Sequence, residues 1–309
     1  MGKTGKKLSN TEPPHIGPPR RGVRNLLSID LEDWYHFIGD PAVPPYEEWS
    51  NCESRVEEVT DILLEIVDGL SITFFVLGFI AKKHPGLIKK ISSSGHEIAC
   101  HGSRHEFVFE MGPERFRQDI VRTKSSLEDL TGRACVGYRA PGFSIRKQDL
   151  WALDIIKEEG FLYDSSIFPA VRTAGGISGF YKYPRVLQLE AGPLVEIPIA
   201  TSRLLGVTTA FCGGGFFRFF PEWYIHKHIK KINRANQPAV VYIHPRDIDP
   251  DQPRMELKFF NRFMYYYGLK KAKEKFNRLV KAFDWGGFGE FVSFHKDELP
   301  LTAGTTIGE

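Results

Sequence analysis

At 309 residues with 42% apolar content, the chain is long enough for one large α/β domain with a substantial core. Its formal charge of +3 and the interleaving of acids with bases exclude nucleic acid as an expected main partner. Cys52, Cys100, Cys135 and Cys212 form no Cys-x-x-Cys pair, so neither a zinc knuckle nor a disulfide framework is expected. Residues 1–24 hold Lys3, Lys6, Lys7, Arg20, Arg21 and Arg24 among prolines with little to bury, and are predicted to be a disordered, solvated arm. No apolar secretory core and no run of bilayer length is present, which gives a cytoplasmic expectation.

Short apolar runs at residues 26–30, 72–77, 96–100, 135–138, 161–163, 195–199 and 239–244 read as strands. Helical patterns at 53–68, 80–93, 113–130, 146–159 and 221–235 lie between most of them; in the third, Phe116, Ile120, Leu127 and Leu130 recur at helical spacing. Strand–helix alternation implies a parallel sheet covered on both faces, closed or nearly closed as a barrel, with an open doubly wound sheet as the competitor. The barrel domain is expected over 25–250. A basic amphipathic stretch over 255–283, a turn at 284–287 and a strand-like run over 288–294 suggest a helical extension, 251–299, packed on the barrel, with 300–309 frayed.

The reactive side chains cluster by position: Asp30, Glu32 and Asp33 follow the first predicted strand, His101 and His105 the third, Arg139 the fourth, Asp164 the fifth and His244 the last. In a parallel barrel those strand ends share one face, where such folds place their sites. Four residues of spacing brings the imidazoles of His101 and His105 to a common point, and three acids ending an apolar strand repel unless a cation or protons relieve them. Arg139 can fix a carboxylate, the turn at Gly142 and Phe143 could offer N–H groups to an oxyanion, and His244 suits proton donation. Cys100, next to His101, should point to the opposite side by strand alternation. The Gly213-Gly214-Gly215-Phe216-Phe217-Arg218 segment is expected as a close-approach loop at the same rim, with Phe216 and Arg218 available to a sugar.

Together these segments resemble the NodB-like polysaccharide deacetylases of carbohydrate esterase family 4, from about Leu26 to His244. Ser28-Ile29-Asp30-Leu31-Glu32-Asp33-Trp34 and the tail after His244 look like the subgroup found in exopolysaccharide gene clusters, which has its own carboxy-terminal extension. The resemblance implies a distorted (β/α)7 barrel and a divalent metal, zinc first, with cobalt, manganese or nickel as alternatives. It implies Asp30 as general base, His101 and His105 as metal ligands, Arg139 orienting Asp30, and His244 as general acid. Two adjacent aspartates are common in the family, whereas this chain reads Asp30, Glu32, Asp33. A continuing strand would put Glu32 on the face of Asp30; a strand ending at Asp30 would let Asp33 reach inward, and Asp33 is the expected third ligand. Asp164 stands where a partner for a catalytic histidine or a turn cap fits, and Gly142, Phe143, Trp34, Phe216 and Arg218 are the expected substrate contacts.

The implied reaction is metal-assisted hydrolysis of the N-acetyl amide of an amino sugar, in an N-acetylated glycan or its sugar precursor. A small-molecule amidohydrolase, a non-catalytic glycan-binding barrel and a non-haem iron oxygenase are the competing readings.

Overall fold

A computed structural model of the protein describes residues 23–302 except 171 and 173. β1 (Asn25–Leu31), β2 (Thr73–Val76), β3 (Glu97–Cys100), β4 (Gly137–Tyr138) and β5 (Tyr163–Asp164) run parallel, each paired to the next. β6 (Arg185–Leu189) folds back antiparallel on β7 (Gly192–Glu196), and β7 pairs in parallel with β5. β8 (Thr201–Leu204) and β9 (Val207–Ala210) form a separate hairpin, and β10 (Val240–Ile243) pairs in parallel with the other side of β1. The order β10-β1-β2-β3-β4-β5-β7 therefore contains the seven expected parallel strands. The backbone beyond β7 returns to β10, where Ala200 N–H donates to Val240 O at 3.2 Å and Gly213 bridges Tyr242, so the ring nearly closes.

Strand alternation divides the core in two. Leu27, Ile29 and Leu31 pack outward with Leu63, Ile88 and Ile120 under the helices, while Leu26 joins Phe75, Ala99, Tyr163, Val195 and Tyr242 inside the barrel. Cys100 lies in the outer layer, on the side opposite Ala99, as alternation requires. The helix expected over 80–93 is two helices, Gly78–Lys83 and Pro85–Ser93, because Pro85 has no N–H to continue the first and starts the second instead. Helix Pro113–Thr131 ends where Gly132 turns left-handed, at φ 64°. Among the described residues no helix is long and apolar enough to cross a membrane.

The carboxy-terminal segment differs from expectation in three places. The predicted turn contains β11 (Trp285–Gly286), which extends the sheet by pairing with β1. The predicted strand over 288–294 is the helix Phe288–His295, since Phe288, Phe291 and Val292 fall at helical spacing in a run too short for pattern alone to classify. The tail does not fray at once: β12 (Leu301–Thr302) pairs with β6, and 303–309 lie outside the described residues. Helices Phe259–Tyr266 and Leu269–Ala282 occupy the expected helical stretch. The extension also enters the barrel itself, as the Phe288 ring lies 5.5 Å from Phe75 and 5.9 Å from Tyr163. At the other terminus the predicted arm falls outside the described residues through 22, but its last member, Arg24, is anchored by donating to Trp285 O at 2.6 Å and pairing with Glu290 at 2.6 Å.

Trp285 is fully buried and donates from Nε1 to Val280 O at 3.1 Å. Trp285→Ala should therefore lower unfolding free energy by about 3–5 kcal/mol in a denaturant titration. A loss under about 1 kcal/mol would mean that the extension sits on the barrel without supporting it.

Candidate active site

β1 continues one residue past Asp30 before the chain turns, and that residue sets the site. With Leu31 still in the ladder opposite Val76, alternation aims Asp30 and Glu32 to the same side. Asp33 is thereby turned away and caps the short helix Trp34–His36: Oδ1 accepts from Trp34 N at 2.9 Å, and Oδ2 from Ser54 Oγ at 2.6 Å and Arg55 N at 3.1 Å. The expectation that Asp33 joins the histidines is thus corrected; Glu32 stands there instead.

Glu32 Oε1 lies 3.2 Å from His101 Nε2 and 2.9 Å from His105 Nε2, while Oε2 pairs with Arg246 Nη1. Burial pushes the Glu32 carboxyl up, but Arg246 and the surrounding imidazoles outweigh it and hold the group well below its ordinary value. His101 Nδ1 donates to Arg139 O at 2.8 Å, which leaves the Nε2 lone pair for another partner. His105 is buried in a left-handed conformation, φ 53°; its Nδ1 has no hydrogen-bond partner, and its Nε2, 2.9 Å from Glu32 Oε1, is not aligned for a hydrogen bond to it. Burial lowers its pKa and favours neutral imidazole, the form that ligates. A divalent cation suits this set: one carboxylate, one imidazole with a fixed tautomer, and one otherwise unsatisfied imidazole, with donor atoms from all three within 4.8 Å of one another.

Asp30 and His244 flank that group. Asp30 Oδ1 accepts from Arg139 Nη1 at 2.5 Å, and the same nitrogen lies 2.8 Å from Ser28 Oγ. The fully buried guanidinium is further held by Ser165 and lies 3.9 Å over the Phe75 ring. His244 Nε2 sits 4.0 Å from Asp30 Oδ2 and 3.7 Å from Glu32 Oε1, and its Nδ1 donates to Asp247 Oδ2 at 2.8 Å. Asp247 accepts in turn from Arg218 Nε at 3.1 Å. Burial alone would raise the Asp247 carboxyl, but His244 and Arg218 hold it far below the usual range.

Other expected contacts have different tasks. Asp164 does not meet His244; it caps the next turn through Ser166 N at 2.9 Å and Ser166 Oγ at 2.6 Å and faces Glu196. Arg218 is withdrawn from any sugar, donating to the backbone of Met264, Tyr265 and Tyr267 besides Asp247. Phe143 packs on Tyr242 and Phe168, and its N–H is spent on Ala140 O at 3.0 Å, so it offers nothing to an oxyanion. Trp34 donates to Glu53 O at 2.8 Å from the edge of an aromatic cluster, and Phe216 packs on Phe220. Gly142 keeps a positive φ of 62°, its carbonyl accepting from Arg172. Asp247 and Arg246 were missed by sequence reasoning, although an Asp three residues after His244 is the spacing of a cap that returns to it. His36 was missed too: buried beside His105 at 6.5 Å between rings, it accepts from Asp33 N–H and leaves Nε2 unpartnered.

A seven-stranded barrel with histidines, acids and an arginine gathered at its strand ends defines a deacetylase-type α/β fold. The "Polysaccharide deacetylase" family model matches residues 48–159, and a "domain of unknown function" model, DUF3473, matches 165–293. His101, His105 and Arg139 fall in the first match and Arg218, His244 and Asp247 in the second, so the site draws on both. A peptidoglycan deacetylase-like protein of Gibberella zeae is 38% identical over 160 residues, 48% of this chain and 45% of the relative. A peptidoglycan-N-acetylglucosamine deacetylase of Bacillus cereus is 34% identical over 83 residues, 26% of this chain and 30% of the relative. The chain thus spans less than half the length of these relatives. A solved structure of a presumed polysaccharide deacetylase from Mycobacterium smegmatis superposes with a TM-score of 0.64 at 21% identity, over 98% of this chain and all of that one.

Two outcomes check the geometry. Glu32→Ala should abolish stoichiometric metal in elemental analysis, whereas Asp33→Ala should keep it and cost about 1 kcal/mol of stability through the lost cap. Separately, Asp119 accepts from Ser103 N at 3.0 Å beneath the histidine loop, and burial pushes its carboxyl up to about 6. A raised carboxyl stabilises the fold below its unfolded pKa and loses that contribution as pH rises through the folded one. The stability of wild type relative to Asp119→Asn should therefore fall between pH 4 and pH 7, by up to about 3 kcal/mol, in paired denaturant titrations.

Proposed function

We propose that the protein hydrolyses the N-acetyl amide of an amino sugar in a glycan or its precursor, using a divalent metal held by Glu32, His101 and His105. One observation carries the reading: a carboxylate and an imidazole, Asp30 and His244, stand 4.0 Å apart beside the donor group and share the Glu32 side of it. When bound, the metal, zinc in our reading, supplies Lewis acidity toward the amide carbonyl and the attacking water.

The protein's own groups do the rest. Arg139 ties down Oδ1 of Asp30, so Oδ2 is the oxygen left to accept a proton from the attacking water. His244 is held with Nδ1–H on Asp247, which directs Nε2 to the reacting centre, where it gives its proton to the departing amine. The Asp247 charge stabilises the imidazolium that holds this proton, and Arg218 keeps Asp247 ionised. The likeness to a peptidoglycan deacetylase-like protein of Gibberella zeae and a peptidoglycan-N-acetylglucosamine deacetylase of Bacillus cereus supports an N-acetylated glycan as substrate.

The test is acetate release across N-acetylated oligosaccharides, exopolysaccharide repeat units first, with metal-stripped protein as control. Asp30→Asn and His244→Ala should each lower kcat by about a hundredfold or more while metal content stays at wild-type level. Near-normal turnover in either variant would sink the assigned roles.

A further inference from the structure

We propose that Arg246 is a positioning residue for the metal site, holding Glu32 by one oxygen so that only the other faces the two histidines; this rests on the reading of Glu32 as a ligand. The two carboxylate oxygens are sharply distinguished. Oε2 is taken by the Arg246 guanidinium, while Oε1 lies within 3.7 Å of three imidazole nitrogens, those of His101, His105 and His244. A glutamate has one more rotatable bond than an aspartate, and an unrestrained Glu32 could swing or turn both oxygens toward the cation. Arg246 removes that freedom by a charge-assisted contact in a site where Glu32 is 2% exposed at its side chain and Arg246 11%.

Arg246 is itself fixed. It belongs to the turn Pro245–Ile248 directly after His244, closed by Asp247 Oδ2 accepting from His244 N at 2.9 Å. Gln252 Nε2 donates to the Arg246 carbonyl at 2.7 Å, and the guanidinium lies 5.5 Å from the Tyr265 ring centre. Tyr265 in turn donates from its hydroxyl to Trp34 O, two residues beyond Glu32. One turn thus carries both the proton donor and the clamp on the ligand carboxylate, so the positions of His244 and Glu32 are set together across β10 and β1.

The experiment measures Co2+ affinity of the full chain by chelator competition, together with the visible spectrum of the Co2+-loaded protein. Arg246→Met, which keeps the side-chain bulk, should weaken Co2+ by about ten- to a hundredfold and change the ligand-field bands. Arg246→Lys, which keeps the charge without the fork, should fall between Met and wild type. In a Glu32→Gln background Arg246→Met should change affinity no further. Wild-type affinity and spectrum in Arg246→Met would overturn the positioning role. Wild-type affinity in Glu32→Gln would instead overturn the ligand reading beneath it. Should Arg246→Met fail to fold by circular dichroism, the Lys variant decides, since a residue needed only for folding would lower its melting temperature and leave the Co2+ spectrum unchanged.

Discussion

The mouth of this barrel is built around buried carboxylates, and each must be neutralised where it stands. Asp30, Glu32, Asp164, Glu196 and Asp247 are all 2% exposed or less. A buried charge without a partner costs several kcal/mol, and removing one member of a buried pair typically costs about 3–5 kcal/mol. The chain meets this with a separate partner for three of them: Arg139 for Asp30, Arg246 with two imidazoles for Glu32, and Arg218 with His244 for Asp247. The partners come from distant segments, so charge pairing draws the ends of β1, β3, β4 and β10 and the helix Gly214–Phe219 to one place.

Those pairings also orient the groups they stabilise. Arg139 binds one oxygen of Asp30 and Arg246 one oxygen of Glu32, which in each case leaves the second oxygen directed inward. Asp247 does the same for a ring, occupying Nδ1 of His244 so that Nε2 is the free nitrogen. On the proposed reading these are the proton acceptor, the ligand and the proton donor. Stability and reactivity then place the same demand on the three arginines, and no separate scaffold is needed to aim the reactive atoms.

How far the sequence disclosed this depended on the range of each interaction. The gathering of His101, His105, Arg139 and His244 on one face was legible because strand–helix alternation alone determines which strand ends coincide. The choice between Glu32 and Asp33 was not, since it turns on whether β1 reaches Leu31, and strand limits are the least certain feature of a pattern; a one-residue change in length reverses which acid points inward. Arg218 read as a rim residue for a sugar because its partner Asp247 lies 29 positions away and its carbonyl acceptors nearly 50. Phe288 read as part of a strand because nothing local shows that a helix would lower an aromatic ring into the barrel.

The remaining pair of acids explains how Arg139 can be given wholly to Asp30. Asp164 and Glu196 lie side by side on β5 and β7, within the influence of the same guanidinium, and two more full charges there would compete for it. Burial pushes both carboxyls up, and the neighbouring Asp164 charge pushes Glu196 further, well above its ordinary value. Asp164 is satisfied by the Ser166 N–H and hydroxyl, and the Ser166 oxygen in turn accepts from Ala140 N at 2.8 Å, beside Arg139. The guanidinium turns its other edge to Ser165, a neutral partner, and reserves its ionic contact for Asp30. Two acids on adjacent strands, both shifted toward their neutral forms, thus leave the arginine's ionic contact to the carboxylate that the proposed chemistry uses.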